Sequence, residues 1–265
     1  MRRLRIAIVL AALVPVTLAM MGLQHVAIRF GWRMAHALPR AFHRYVCLLF
    51  GVRVAQEGAP SAARPLLIVA NHTSWLDISV ISTLEPLSFI AKREVGTWPV
   101  FGAFARLQRS IFIDRTRRKG AAEANREIAE RLAAGDAIVL FAEGTTGDGN
   151  RVLPFRSSLI GAARDAIADA GHEARVMIQP VTVAYPRRGG VPVGREGRAA
   201  IAWYGDMDLI PHLAPIMAGR PIDAVVAWGE PIPFGPGSDR KEVARLAEAA
   251  VRRAYARLVT GREPV

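Results

Sequence analysis

Residues 6–28, IAIVLAALVPVTLAMMGLQHVAI, form a run of 23 without a charged side chain. About 20 such residues wound as an α-helix match the hydrocarbon thickness of a bilayer, so this stretch calls for lipid or a large apolar partner. Arg2, Arg3 and Arg5 precede it, as basic residues precede a secretory signal. The small-x-small pattern Ala35-His36-Ala37 lies beyond Arg29 and Arg33, too far from the apolar centre for ready cleavage. Arg29, Arg33, Arg40 and Arg44 follow the run, so basic residues flank both ends and the positive-inside rule gives no orientation. Pro15 removes an intrahelical bond and predicts a kink. Residues 33–54 mix apolar side chains with Arg and His, as an interfacial amphipathic helix does. The expectation is a membrane-associating helical hairpin over residues 1–56, dipped into one leaflet with both ends on the cytoplasmic side.

The charge pattern supports that division. The net charge is +12, and the first 56 residues hold eight Arg and no Asp or Glu, leaving only +4 on the rest. A nucleic-acid-binding domain displays its basic stripe on the folded body, so this balance argues against one. The hydrophobic share of 51% excludes disorder and collagen-like folds. A chain of 265 residues builds a core without disulfides, and the one cysteine, Cys47, reads as a small buried hydrophobe.

After Gly58-Ala59-Pro60 short apolar runs alternate with longer amphipathic stretches. Strands are predicted at 65–70, 87–91, 110–113, 137–141, 176–184, 199–204 and 224–228. Helices are predicted at 78–84, 98–107, 119–134, 157–170 and 240–259, with a turn-rich loop at 189–197. Such alternation implies βαβ units. The strands lack strict polar alternation, as expected when helices cover both faces. Residues 57–265 therefore read as one α/β domain with a largely parallel or mixed sheet covered by helices.

In open α/β sheets chemistry gathers where strands end. The strand at 65–70 is followed by Asn71-His72-Thr73-Ser74-Trp75-Leu76-Asp77, that at 110–113 by Asp114-Arg115-Thr116, and that at 137–141 by Ala142-Glu143-Gly144-Thr145-Thr146-Gly147. Within a regular helix, five residues turn by about 500°, leaving His72 and Asp77 about 140° apart. If His72 instead lies in the turn before a helix, the carboxylate can hold one ring nitrogen and free the other to take a proton. The competing reading is local: Ser74-x-x-Asp77 is a capping-box pattern, and Asp77 then only stabilises a helix start. Gly144 with its neighbouring threonines suits either an oxygen-rich ligand or an ordinary turn. Arg115, Arg117, Arg118 and Lys119 suit a phosphate or a solvated helix start.

Other chemistries find no pattern. The chain has no Gly-x-Ser-x-Gly elbow, P-loop or Gly-x-Gly-x-x-Gly. His172-Glu173 lacks the second His of a zinc-protease helix, and His25, His36, His43 and His212 have no ligand-like spacing. The five Trp residues are scattered, as core or interface residues are.

Taken in order, four blocks resemble the signature blocks of the glycerolipid acyltransferases, in particular the bacterial 1-acylglycerol-3-phosphate acyltransferases. They are Asn71–Asp77, Phe112-Ile113-Asp114-Arg115, Phe141-Ala142-Glu143-Gly144-Thr145-Thr146, and Gln179-Pro180-Val181-Thr182-Val183. The resemblance covers about residues 65–235. It implies transfer of a fatty acyl group from acyl-CoA or acyl carrier protein to a lysophospholipid hydroxyl, giving phosphatidic acid, at the cytoplasmic face of a bacterial inner membrane. It makes His72 the general base and Asp77 its orienting partner. Arg115, with Lys92, would bind the acceptor phosphate, and Glu143, Gly144, Thr145 and Thr146 would shape the acceptor site. Arg156 stands where relatives usually carry Lys, Ser157 and Ser158 where they often carry Gly, and Thr146 replaces a common Ser or Arg. No cofactor or metal is implied beyond the thioester co-substrate, and the implied partners are the lipid acceptor, the donor and the membrane. The alternatives are another acceptor in the same fold, such as lyso-ornithine lipid or a different lysophospholipid, or a membrane-surface lipid-binding protein without catalysis; Trp203-Tyr204-Gly205-Asp206-Met207 resembles a stretch of some bacterial members and points to no one acceptor.

Overall fold

A computed structural model describes residues 2–113, 118–161, 176–235 and 237–262. The apolar N-terminal run lies in one long helix, α1 (Arg2–Arg29), which continues through Pro15. By length and composition it could cross a membrane. A tight turn leads into α2 (Met34–Phe50), which stops where Gly51 takes a left-handed conformation (φ 70°) and donates its N–H back to Leu48 O. The helical signal expected to reach residue 54 therefore ends at Phe50. Residues Val52–Glu57 form strand β1 instead, an edge strand whose exposed positions hide it from a hydrophobicity reading.

The body follows as β2 (Leu66–Ala70), α3 (Leu76–Ser82), β3 (Ser88–Lys92), a 3₁₀ turn (Arg93–Thr97), α4 (Phe101–Leu107), β4 (Ile111–Ile113), α5 (Arg118–Ala133), β5 (Ala137–Phe141), β6 (Val176–Arg188), β7 (Val191–Pro192), α6 (Arg195–Ala199), α7 (Leu209–Met217), β8 (Ile222–Trp228), β9 (Ile232–Phe234) and α8 (Arg240–Thr260). The sheet runs β1-β8-β6-β2-β5-β3-β4, with β7 and β9 also pairing with β6. β6, β2, β5, β3 and β4 run parallel to one another, β7, β8 and β9 run antiparallel to β6, and β1 runs parallel to β8. The sheet is mixed, with two cores. Leu66, Ile68 and Ala70 face the side of α1, α2 and α3, while Leu67 and Val69 face the side of α5 and α8. Every β2 side chain is buried, so its sequence shows a continuous apolar run.

The hairpin of α1 and α2 rests on this body. Near the start of α1, Arg5 donates to Gly219 O; midway, Tyr45 of α2 donates to Ala12 O; near its end, the Gln24 amide donates to Ala35 O and Leu107 O. The opposite side of α1 exposes Leu4, Ile8, Val14, Leu18 and Leu23, continuing into Phe30 and Trp32 at the turn.

Three expectations change. Residues 199–204 are not a strand: α6 ends there, and Trp203 N–H bonds to Thr73 O rather than to a neighbouring strand. β6 extends to Arg188 and turns through Gly189 and Gly190 (φ 65° and 81°) into β7, the two-residue hairpin that positive φ permits. The short α7, with two prolines in its sequence, carries too little periodicity to be seen beforehand. The helix expected at 157–170 is seen over 157–161, and residues 162–170 lie outside the described residues.

Candidate active site

Parallel strands β2, β5 and β3 end on one edge of the sheet, and the expected site residues follow those ends. Asn71 seals the end of β2 to β6: its Nδ2 donates to Val183 O at 2.9 Å and its Oδ1 accepts Val183 N–H at 2.8 Å. His72 follows as the second residue past β2, in a non-helical loop that folds back before α3. That loop is what defeats the angular mismatch of a regular helix.

His72 Nδ1 lies 2.8 Å from Asp77 Oδ2. The same oxygen accepts the N–H groups of Thr73 at 2.6 Å and Ser74 at 2.9 Å. Asp77 is fully buried, while His72 keeps 17% of its side chain exposed. Asp77 thus accepts the two loop amides and holds the imidazole with one oxygen, while the helix N-cap itself is Trp75, without a side-chain cap bond. The return half of a capping box is missing, since the Ser74 hydroxyl has no partner among the described residues. With Nδ1–H given to Asp77, Nε2 carries the lone pair. The Phe141 ring stacks on the imidazole with centroids 3.8 Å apart, fixing its plane.

The loop after β5 clasps the backbone of His72 from both sides. Glu143 Oε1 accepts His72 N–H at 3.2 Å, and Gly147 N–H donates to His72 O at 2.8 Å. Gly144, at φ 70°, makes the turn that allows this, with its N–H on Phe141 O. Burial pushes the Glu143 carboxyl from 4.5 up to about 8; the amides of His72 and Leu153 pull the other way, and the charge of Asp77 adds to the rise. A carboxyl so placed is largely protonated at neutral pH.

Arg156 belongs to the same loop: its N–H bonds to Ala142 O and its Nε donates to Glu143 O at 3.3 Å, leaving the side chain exposed. Thr145 is exposed and Thr146 half-buried, between Glu143 and the Gly147 that holds His72. Lys92 ends β3 on this edge, exposed, without a direct bond to His72, Asp77 or Glu143. Asp114, Arg115 and Arg117 lie outside the described residues, as do the side chains of Arg118 and Lys119. Among the described residues, no three His, Cys, Asp or Glu side chains gather as a metal site would require.

The sequence does not single out two contacts: Phe141 stands in the third block with no role attached, and Tyr185, whose hydroxyl donates to Asp77 Oδ1 at 2.6 Å, lies two residues beyond the fourth block. Strand alternation puts Val183 and Tyr185 on one face, which was the available signal.

Comparison with known proteins bears on the family and the fold. The profile of the family described as Acyltransferase matches residues 51–184. A Brucella abortus protein named lyso-ornithine lipid O-acyltransferase is 48% identical over 98% of this chain and 97% of its own. A Neisseria gonorrhoeae 1-acyl-sn-glycerol-3-phosphate acyltransferase is 40% identical over 42% of this chain and 44% of its own. The crystal structure of the 1-acyl-sn-glycerophosphate acyltransferase PlsC from Thermotoga maritima superposes with a TM-score of 0.60, covering 98% of both chains at 22% identity, a likeness of fold.

Proposed function

Since the chain belongs to the acyltransferase family, we propose that it moves a fatty acyl group from acyl-CoA or acyl carrier protein to the free hydroxyl of lyso-ornithine lipid. The observation that carries the chemistry is the 2.8 Å contact between His72 Nδ1 and a buried Asp77, beside an imidazole still open to a substrate. Identity along nearly the whole Brucella abortus protein supports the acceptor. The Neisseria gonorrhoeae stretch favours a second reading, with 1-acylglycerol-3-phosphate as acceptor.

The transfer is direct. As the acceptor oxygen bonds to the thioester carbonyl carbon, His72 Nε2 takes the hydroxyl proton. The C–S bond then breaks, and the departing thiolate receives that proton from the imidazolium. Asp77 keeps the tautomer that makes Nε2 the base and stabilises the imidazolium between the two steps. General-base help of this kind is worth about 10²–10⁴-fold, and holding both substrates in line adds to it. Glu143, Gly144, Thr145 and Thr146 shape the acceptor side of His72, while Lys92 and Arg156 add positive charge at its rim. Arg115 takes the acceptor's anionic group, a carboxylate on ornithine or a phosphate on the glycerol lipid; a guanidinium pairs with either.

The hairpin delivers the lipid. α1 is tied to the body near both ends, through Arg5 and Gln24, so its exposed apolar side lies along a leaflet rather than across it. The catalytic body then rests on the cytoplasmic surface, where an acceptor hydroxyl reaches His72 from the bilayer.

The test offers purified protein labelled acyl-CoA or acyl carrier protein with each lyso-acceptor and identifies the product by mass spectrometry. Ornithine lipid is expected, and it disappears in His72→Ala with the circular dichroism spectrum unchanged. Product from 1-acylglycerol-3-phosphate alone moves the assignment to the second reading. Folded protein that acylates neither acceptor refutes both.

A further inference from the structure

Asp77 places its two oxygens in different company. Oδ2 accepts three donors, from His72 Nδ1, Thr73 N and Ser74 N, whereas Oδ1 accepts the Tyr185 hydroxyl at 2.6 Å. That length is at the short end of O–H···O hydrogen bonds. Tyr185 comes from β6, in the middle of the sheet, and β6 pairs directly with β2, the strand that delivers His72. The β6–β8 register shifts between Ala184 and Arg187, and such a bulge re-aims the side chain within it. One rigid sheet thus holds both ends of a His72–Asp77–Tyr185 chain.

We propose that Tyr185 is a positioning residue for the acyl transfer: its hydroxyl pins Asp77 Oδ1, so that Oδ2 stays turned to His72 and the carboxylate does not swing about its Cβ–Cγ bond. The inference rests on the general-base reading of His72. Burial, with the charge of Asp77 second, holds the phenol well above its ordinary 10, so it remains a donor across the working pH range. The hydroxyl also draws charge from the carboxylate and so limits how strongly Asp77 favours the imidazolium. Other titratable groups face this chain: Glu143 from the loop after β5, Cys47 from α2 and Tyr255 from α8. All three persist in a Tyr185 variant, so the comparison isolates the phenol.

Tyr185→Phe keeps the ring and removes the donor. The kcat is expected to fall about 10- to 100-fold, the range set by one donor to a charged partner, with acceptor KM unchanged. The acid limb of kcat/KM is expected to move to higher pH, because an Asp77 relieved of its donor holds the imidazolium more firmly. An NMR titration of His72 reads the same shift without needing turnover. Replacing the four tyrosines by 3-fluorotyrosine, a stronger donor of nearly the same shape, moves the limb the opposite way even if the Phe variant folds poorly. Combined with Asp77→Asn, Tyr185→Phe is expected to cost nothing further, as for two residues acting as one unit. A limb and a His72 titration that stay in place overturn the inference, as does an additive loss in the double variant. If Asp77→Asn is inactive in either case, the general-base reading stands; a fully active Asp77→Asn removes that reading and leaves the tyrosine without a role.

Discussion

Glu143→Gln tests the electrostatics of the site without depending on the identity of the acceptor. The carboxyl is buried beside Asp77, and its oxygen Oε2 has no hydrogen-bond partner among the described residues. In the unfolded chain it loses its proton near 4.5, and in the folded protein near 8. Between those values the folded state holds a proton that the unfolded state has released, so stability falls as pH rises. At about 1.4 kcal/mol per pH unit, the rise from 4.5 to about 8 sets a ceiling of about 5 kcal/mol. Glutamine keeps the acceptor for His72 N–H and removes the titration, but leaves an unpaired amide donor that costs about 1–3 kcal/mol. At pH 5 the variant is expected to be equal to or slightly less stable than the parent, and at pH 8 more stable. From pH 5 to pH 8 the linkage amounts to about 3.5 kcal/mol, so at about 2 °C per kcal/mol the difference in Tm between the two proteins shifts by about 7 °C. Thermal unfolding of both proteins at pH 5, 6.5 and 8 measures it. A Tm difference independent of pH refutes the argument, because it means that the Glu143 carboxyl ionises alike in both states.

Asp77→Asn retains an acceptor for the Thr73 and Ser74 amides but loses the charge behind His72; a kcat loss of about 10²-fold or more is expected, whereas a fall in Tm with activity intact leaves only the cap. Gly149 has φ 73°, and a Cβ there meets Thr73 Cγ2 at 3.1 Å; Gly149→Ala is expected to cost about 1–2 kcal/mol in chemical unfolding and to lower kcat by pressing on the loop that carries His72. Phe30 and Trp32, stacked at the hairpin turn and 67% and 46% exposed, are expected to seat in lipid. Changing both to Asp should weaken vesicle cosedimentation by about 10-fold or more, while activity on detergent-dispersed acceptor is kept.

Much of the candidate site is legible in the sequence because its central pair is local. His72 and Asp77 are five residues apart in a loop-to-helix junction, and strand-end placement already pointed to them. Glu143 was legible as a strand-end residue, but its role in holding His72 N–H, 71 positions away, was not. The fold shows the same split. Strands buried on both faces announce themselves as apolar runs, as at β2 and β5. β1 and α7 do not, because one is exposed at the sheet edge and the other is too short for periodicity.

The amino-acid order alone determined the apolar N-terminal run, the α/β alternation and the imidazole–carboxylate pair, since each is written in neighbouring residues and decided by short-range periodicity or reach. Tertiary structure decided the rest: that the N-terminal helix lies docked along the body, that the carboxyl of Glu143 is buried, and that a tyrosine 108 residues from Asp77 closes on its second oxygen. Those outcomes depend on sheet register and burial, which arise only when distant segments pair.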